Sequence, residues 1–224
     1  MYFTKYGITF HLLNENDIEM VRQWRNAPHI SSNMEYREYI TEEMQKKWFD
    51  SINNIHNLYF IIEYKGEKIG LTNGKNLDFD NWTGEAGIFL YERKYQKTPV
   101  SAIIAILGAE IFFNLFQWKA GYAHVLRDNK AMKLYVQLLG YRLCPGQQDK
   151  INQKYMITRK SYNRKRPFLK SALSMVVRLR EKGRLVIEPL EMNDERILFW
   201  EEKMLRNNPE LAMEETPEGR IYYY

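Results

Sequence analysis

The sequence predicts an α/β (α+β) fold, a mixed central sheet of about six to seven strands flanked by about four helices, with an extra strand–helix segment at the C-terminus. Three observations carry this. Along the first 160 residues the hydrophobic period switches between about 3.6 and about 2, so helices and strands share one core. A strand, a short loop, a long apolar helix and a second strand follow one another between Trp82 and Leu126, the order of a crossover joining parallel strands. The chain has 224 residues, 45% of them hydrophobic and 14% aromatic, enough for one full core and a further small unit.

"GITFHLL" (7–13) alternates as a short strand. "NENDIEMVRQWRN" (14–26) follows as a helix, with Asn14 or Asn16 as N-cap and Ile18, Val21 and Trp24 on one face. "TEEMQKKWFDSIN" (41–53) is a second helix, capped by Thr41, with acids in its first turn and Met44, Trp48 and Ile52 at spacing four. The period then changes. "LYFIIEYKGEKIGLTNG" (58–74) reads as two strands joined at "KGEK", where Gly66 supplies a positive backbone angle. "WTGEAGIFLYE" (82–92) is apolar enough for a central strand. "RKYQKTPVSAIIAILGAEIFFNLF" (93–116) is a loop opening into a long helix, and "AGYAHVL" (120–126) is the parallel strand beyond it. A helix over Asn129–Leu139 has Ala131, Leu134, Tyr135 and Leu138 inward and Gly140 as its stop. "YRLC" and "KYMITR" finish as strands, and the basic run "RKSYNRKRPFLK" is a solvated connector. Residues 1–160 form the main domain. Residues 161–224 are an extension packing on it or on a second subunit. Within the extension "LVIEPLEMNDERILFW" echoes "ITFHLLNENDIEMVRQW", with Leu13, Asn16 and Asp17 recurring as Leu190, Asn193 and Asp194.

Composition excludes several classes. With 33 Lys+Arg against 28 Asp+Glu the net charge of +5 modestly favours anionic ligands. The basic residues are interspersed with acids, which argues against nucleic acid as a partner. No run of 18 apolar residues occurs and the N-terminus lacks a leader pattern, so the expected location is the cytoplasm, away from membranes. The single cysteine, Cys144, excludes an intrachain disulfide and a cysteine-based metal site, and reads as a buried thiol. His11 and His56 read as structural.

The element order, ending in "DNKAMKLYVQLLGYRL", resembles the GCN5-related N-acetyltransferases (GNAT), whose typical ending is Asn, Ala, Leu-Tyr and Gly-Phe/Tyr at this spacing. "WRNAPHISSNM" (24–34), followed by a helix bearing Trp48, looks like the branch that acetylates the 4-amino group of UDP-linked amino sugars towards pseudaminic acid. The resemblance implies acetyl-CoA as donor, with Asn129 near its pantetheine and the Tyr135 hydroxyl aimed at the thioester sulfur. Phe89, Leu90 and Tyr91 would line it at the strand end. Its pyrophosphate would lie over Gln96, Lys97, Thr98, Pro99, Val100 and Ser101. Here the sequence departs from the family, because Pro99 and Ser101 stand where two small residues usually bare their amides. Thr98 and Ser101 hydroxyls and the Lys94 and Lys97 charges are expected to compensate. A tyrosine of ordinary pKa about 10 can protonate a departing thiolate whose conjugate acid lies near 8.5.

For the proton leaving the amine the candidates are Glu85 and His124, both facing the cleft where two parallel strands diverge. Arg25, His29 and Met34 are the candidate acceptor-binding residues. No metal is expected. The leading expectation is direct acetyl transfer to a primary amine, a UDP-linked amino sugar being the favoured substrate. Acetylation of a protein N-terminus or another small amine, and a non-catalytic binding module with a degraded loop, are the alternatives, and a homodimer is left open.

Overall fold

The computed structural model describes residues 1–174, 177 and 181–224. Strands β1 (Tyr2–Lys5) and β2 (Ile8–Leu12) form a tight hairpin. Its two turn residues, Tyr6 and Gly7, have φ of 58° and 73°, the primed geometry that matches strand twist. Sequence reading missed β1 because a tyrosine at positive φ carries no turn signal. A 3₁₀ turn (Glu15–Asp17) leads into α1 (Ile18–Asn26), then come the single turn α2 (Pro28–Ser31) and α3 (Glu42–Ile52). Thr41 caps α3 as expected, accepting from the Met44 amide, whereas Asn14 caps the 3₁₀ turn, accepting from the Asn16 amide, and α1 itself has Asp17 at its N-cap position with no side-chain cap.

Strands β3 (Leu58–Tyr64) and β4 (Glu67–Asp78) form the expected hairpin, and β5 (Thr83–Leu90) follows. After α4 (Pro99–Glu110) and a π-helical turn (Ile111–Leu115) come β6 (Ala120–Leu126), α5 (Lys130–Leu139), β7 (Arg142–Leu143) and β8 (Asn152–Thr158). The extension then adds α6 (Arg159–Leu173), β9 (Arg184–Ile187), α7 (Glu195–Asn207), β10 (Ala212–Thr216) and β11 (Gly219–Tyr223).

All the described strands form one sheet, in the order β10-β11-β9-β1-β2-β3-β4-β5-β6-β8-β7. The class is as expected, but the strand number is eleven, because β1, β9, β10 and β11 widen the sheet on one side. The pair β5/β6 is parallel and the other pairs are antiparallel. Alternation in β3 divides the core. Tyr59 and Ile61 meet α1 and α3 through Val21, Trp24 and Phe49. Leu58, Phe60 and Ile62 share a second cluster with Ile103, Leu107, Leu173, Trp200 and Met204, from α4, α6 and α7.

Several local expectations change. The basic run 159–170 is no solvated connector: it forms most of α6, capped by Thr158 and Ser161, with Tyr162 buried and stacked on Phe113 at 4.9 Å. The extension is larger than one strand and one helix, with two helices and three strands among its described residues. In α5, Leu134 and Leu138 face outward and Val136 is buried, since the sheet below it presents Ala123, Val125 and Tyr155 to the stripe one residue on. Cys144 is half-buried rather than core. No described helix is long and apolar enough to cross a membrane.

Candidate active site

The site begins with a failure of pairing. Strands β5 and β6 hold register over three pairs, Thr83 with Ala120, Gly84 with Gly121 and Glu85 with Tyr122, and then part. The Tyr91 amide donates to the Ile69 carbonyl of β4 at 2.8 Å, so by alternation the odd-numbered residues of β5 turn their main chain towards β4. Ala86, Ile88 and Leu90 therefore turn theirs towards the gap. Phe89 and Tyr91 do not line it as expected. Their side chains pack beside Trp24, which stacks on Tyr91 at 5.4 Å. Leu90 points into the core, and its carbonyl accepts from the Gln96 amide nitrogen at 2.8 Å. Ala86 and Ile88 turn unpaired main chain into the gap, a feature sequence reading missed because strand alternation depends on a register that composition does not reveal.

At the open end of the gap stands the N-terminus of α4. Thr98 is its N-cap, accepting from the Val100 amide at 3.3 Å and donating to the Tyr95 carbonyl at 2.9 Å. The Ser101 amide and hydroxyl both donate to the Thr98 carbonyl, at 3.2 and 2.9 Å. Pro99 occupies the first helical position, where its missing N–H costs least. The Thr98 and Ser101 hydroxyls are thus engaged within the turn, contrary to their expected role towards phosphate, and Val100 is buried. Side-chain charge remains. His29, Ser32, Asn33, Arg93, Lys94, Gln96 and Lys97 line one shallow pocket between α2 and the loop. Lys94 is paired with Glu67 at 2.7 Å, whereas Arg93 and Lys97 have no ion-pair partner among the described residues.

Helix α5 closes the other side. The Asn129 side-chain oxygen accepts from the Met132 amide at 3.0 Å, which leaves its NH₂ to donate elsewhere. The Tyr135 hydroxyl donates to the Ser101 carbonyl at 2.9 Å and so joins α5 to the first turn of α4. Burial, with Tyr141 beside it, pushes that hydroxyl well above the ordinary tyrosine value, so it keeps its proton across the working pH range. These groups fit a pantetheine arm along the gap, with phosphates over the cationic pocket rather than over bare amides.

The opposite face, under α1 and α3, carries the polar floor. Glu85 and His124 come together, Oε1 to Nε2 at 3.7 Å, with Lys75 at 3.5 Å from the other carboxylate oxygen. Tyr59, Asn73 and Gly87 lie side by side across β3, β4 and β5. Burial pushes the Tyr59 hydroxyl up, while Arg25 draws it down and Glu85 adds to the rise, so these charges flank one ring. His29 instead donates from Nε2 to the Tyr91 carbonyl at 3.0 Å. Met34 ends the turn after α2, its carbonyl held by Arg37, and none of its bonds reaches the floor. Beyond it Glu35 accepts from Asn152 at 2.8 Å, so this loop straps the cleft to β8.

A parting parallel strand pair, with a helix N-terminus at its mouth and a carboxylate–imidazole pair on its floor, defines a machine for carrying an acyl thioester to an amine. A family profile described as "Acetyltransferase (GNAT) domain" matches residues 10–155, and the chain belongs to the GNAT acetyltransferases. It is an acyltransferase that uses acetyl-CoA. Among solved structures it is similar to apo FdhC, described as a nucleotide-linked sugar GNAT, with TM-score 0.63 and 18% identity over 80% of this chain and 99% of that one. Aminoglycoside acetyltransferase AAC(6')-Ib in complex with coenzyme A gives 0.61 and 16%, over 71% and 99%. Spermidine N-acetyltransferase from Vibrio cholerae, with CoA and spermine, gives 0.60 and 16% over the same shares. At these identities the likeness shows the fold. No curated protein sequence matches the chain.

Proposed function

We propose that the chain acetylates the primary amine of a nucleotide-linked amino sugar, in the cytoplasm. The observation that carries the reaction is the Glu85–His124 pair, 3.7 Å apart where β5 and β6 part. A carboxylate and an imidazole so placed can take the proton that an amine must lose to attack. Acetyl-CoA supplies the acetyl group as a thioester. The Ala86 and Ile88 main chain and the Asn129 NH₂ orient it, and Tyr135 Oη holds a proton for the leaving sulfur once its bond to Ser101 is exchanged. The choice of acceptor is supported by the Trp24–Met34 segment and by the likeness to a nucleotide-linked sugar GNAT.

Release of CoA thiol is followed with four amines: a UDP-linked 4-amino sugar, spermidine, an aminoglycoside and a peptide N-terminus. The sugar nucleotide is expected to give the highest kcat/KM, and Glu85→Gln to lower kcat by about 10²-fold or more. Preference for another amine, or a fully active Glu85→Gln, overturns the reading. The self-bonded loop at Thr98–Ser101 bears on how tightly the donor is held. Acetyl-CoA at 100 times its Kd should stabilise the protein by about 2.7 kcal/mol, and the absence of any shift would show that the loop has given up its hold on the phosphates.

A further inference from the structure

Helix α1 carries two arginines three residues apart, and the fold treats them differently. Arg22 is satisfied: Glu19 binds its guanidinium through both carboxylate oxygens at 2.7 Å, the Tyr39 hydroxyl accepts from it at 3.0 Å, and so does the Ile40 carbonyl at 3.2 Å. Arg25 forms no ion pair among the described residues, and its Nε is sealed from solvent without a hydrogen-bond partner. The residue is only half-buried, so the guanidinium stands at the floor with no counter-charge among the described residues and is open to an anion supplied by a ligand.

A second orphan lies on the same floor. The Asn73 Oδ1 is buried and accepts nothing. It stands opposite Gly87, where an added Cβ would meet the Asn73 Nδ2 at 2.9 Å and Oδ1 at 3.1 Å, so the amide needs the bare strand beside it. Tyr59 links the two, being register neighbour to Asn73 and packing under α1 with Val21 and Trp24, the residue before Arg25. One unsatisfied donor and one unsatisfied acceptor thus flank the floor that holds Glu85.

We propose that Arg25 and Asn73 are the acceptor-recognition pair: Arg25 seats a phosphate of a nucleoside diphosphate, and the Asn73 Oδ1 accepts from an N–H or O–H of the attached sugar. This rests on the sugar-nucleotide reading and adds its selectivity, since an unpaired guanidinium repels polycationic amines. UDP is the probe, with thermal shift as a readout independent of turnover. UDP should raise the wild-type melting temperature and leave Arg25→Gln unmoved, with Arg25→Lys between them because a point charge lacks the bidentate fork. In turnover, Arg25→Gln should cut kcat/KM for the sugar nucleotide by about 10²-fold through KM, leave kcat nearly intact, and raise relative activity on spermidine. Asn73→Ala should raise KM for the sugar nucleotide without changing the UDP shift. Equal UDP shifts in wild type and Arg25→Gln, or an unchanged preference between sugar nucleotide and spermidine, overturns the inference. Arg25-dependent UDP binding with no acetyl transfer to the sugar nucleotide would instead defeat the proposed function and leave this inference standing.

Discussion

Tyr135 holds its proton against a main-chain carbonyl, 2.9 Å away at Ser101, and this sets what its removal costs. If the hydroxyl protonates the departing thiolate, Tyr135→Phe should lower kcat by about 10²-fold with little change in acetyl-CoA affinity. The same change deletes a half-buried hydrogen bond between α4 and α5, at about 1 kcal/mol, or about 2–4 °C in melting temperature for a chain of this size. Turnover and melting measured on one variant separate the roles: full activity with the stability loss leaves Tyr135 a structural link only. Its place was legible because Asn129, Tyr135 and Gly140 carry the N-cap, the inward face and the C-cap of one helix. Arg25 and Asn73 stand out for bonds they lack, and no spacing rule reports a missing partner.

The N-terminus of α4 was legible as an element and illegible as a site. Proline at its first position and threonine before it announce the helix start. What the string conceals is that the Thr98 hydroxyl and carbonyl take the Val100 and Ser101 amides, so the proposed anion recognition falls to side-chain charge. Ser101→Asp tests this division. A carboxylate in the first turn interacts favourably with the helix dipole, worth about 0.3–1 kcal/mol, so the melting temperature should hold or rise slightly. The same carboxylate would face the phosphates, and acetyl-CoA affinity should fall about 10-fold or more, measured by calorimetry at low salt. Undiminished affinity would move the phosphates elsewhere. Helix α5 shows a related limit: the stripes 131/134/135/138 and 132/135/136/139 share Tyr135, and only the sheet beneath selects the second.

At the scale of the whole molecule, the extension is bound to the sheet by a buried charge cluster that joins residues over 100 positions apart. Glu110, at the end of α4, receives Lys5 of β1 at 2.9 Å, Lys170 of α6 at 3.1 Å and the Tyr6 hydroxyl at 3.2 Å. The echo of "ITFHLLNENDIEMVRQW" in "LVIEPLEMNDERILFW" was real locally, since both become strand, 3₁₀ turn and helix. The two helices nonetheless pack on opposite faces, α1 over Tyr59 and Ile61, α7 with Phe60 and Ile62, because side of packing is a tertiary choice. Burial alone would push the Glu110 carboxyl up. Lys5, hydrogen-bonded to it, and Lys170 more than reverse this and hold it below the ordinary glutamate value. A carboxylate depressed in the folded state contributes its stability above the unfolded value near 4.3 and loses it as pH falls through the lower folded value. Glu110→Gln keeps the shape but strands Lys5, which is 8% exposed, so it should cost about 3–5 kcal/mol near neutral pH. Lys170→Ala, removing the more exposed partner at 27%, should cost far less. Denaturant melts of the three proteins from pH 7 to pH 2 should show the gap between wild type and Glu110→Gln narrowing as wild type loses its carboxylate, and a gap independent of pH would assign the stability to packing instead of charge.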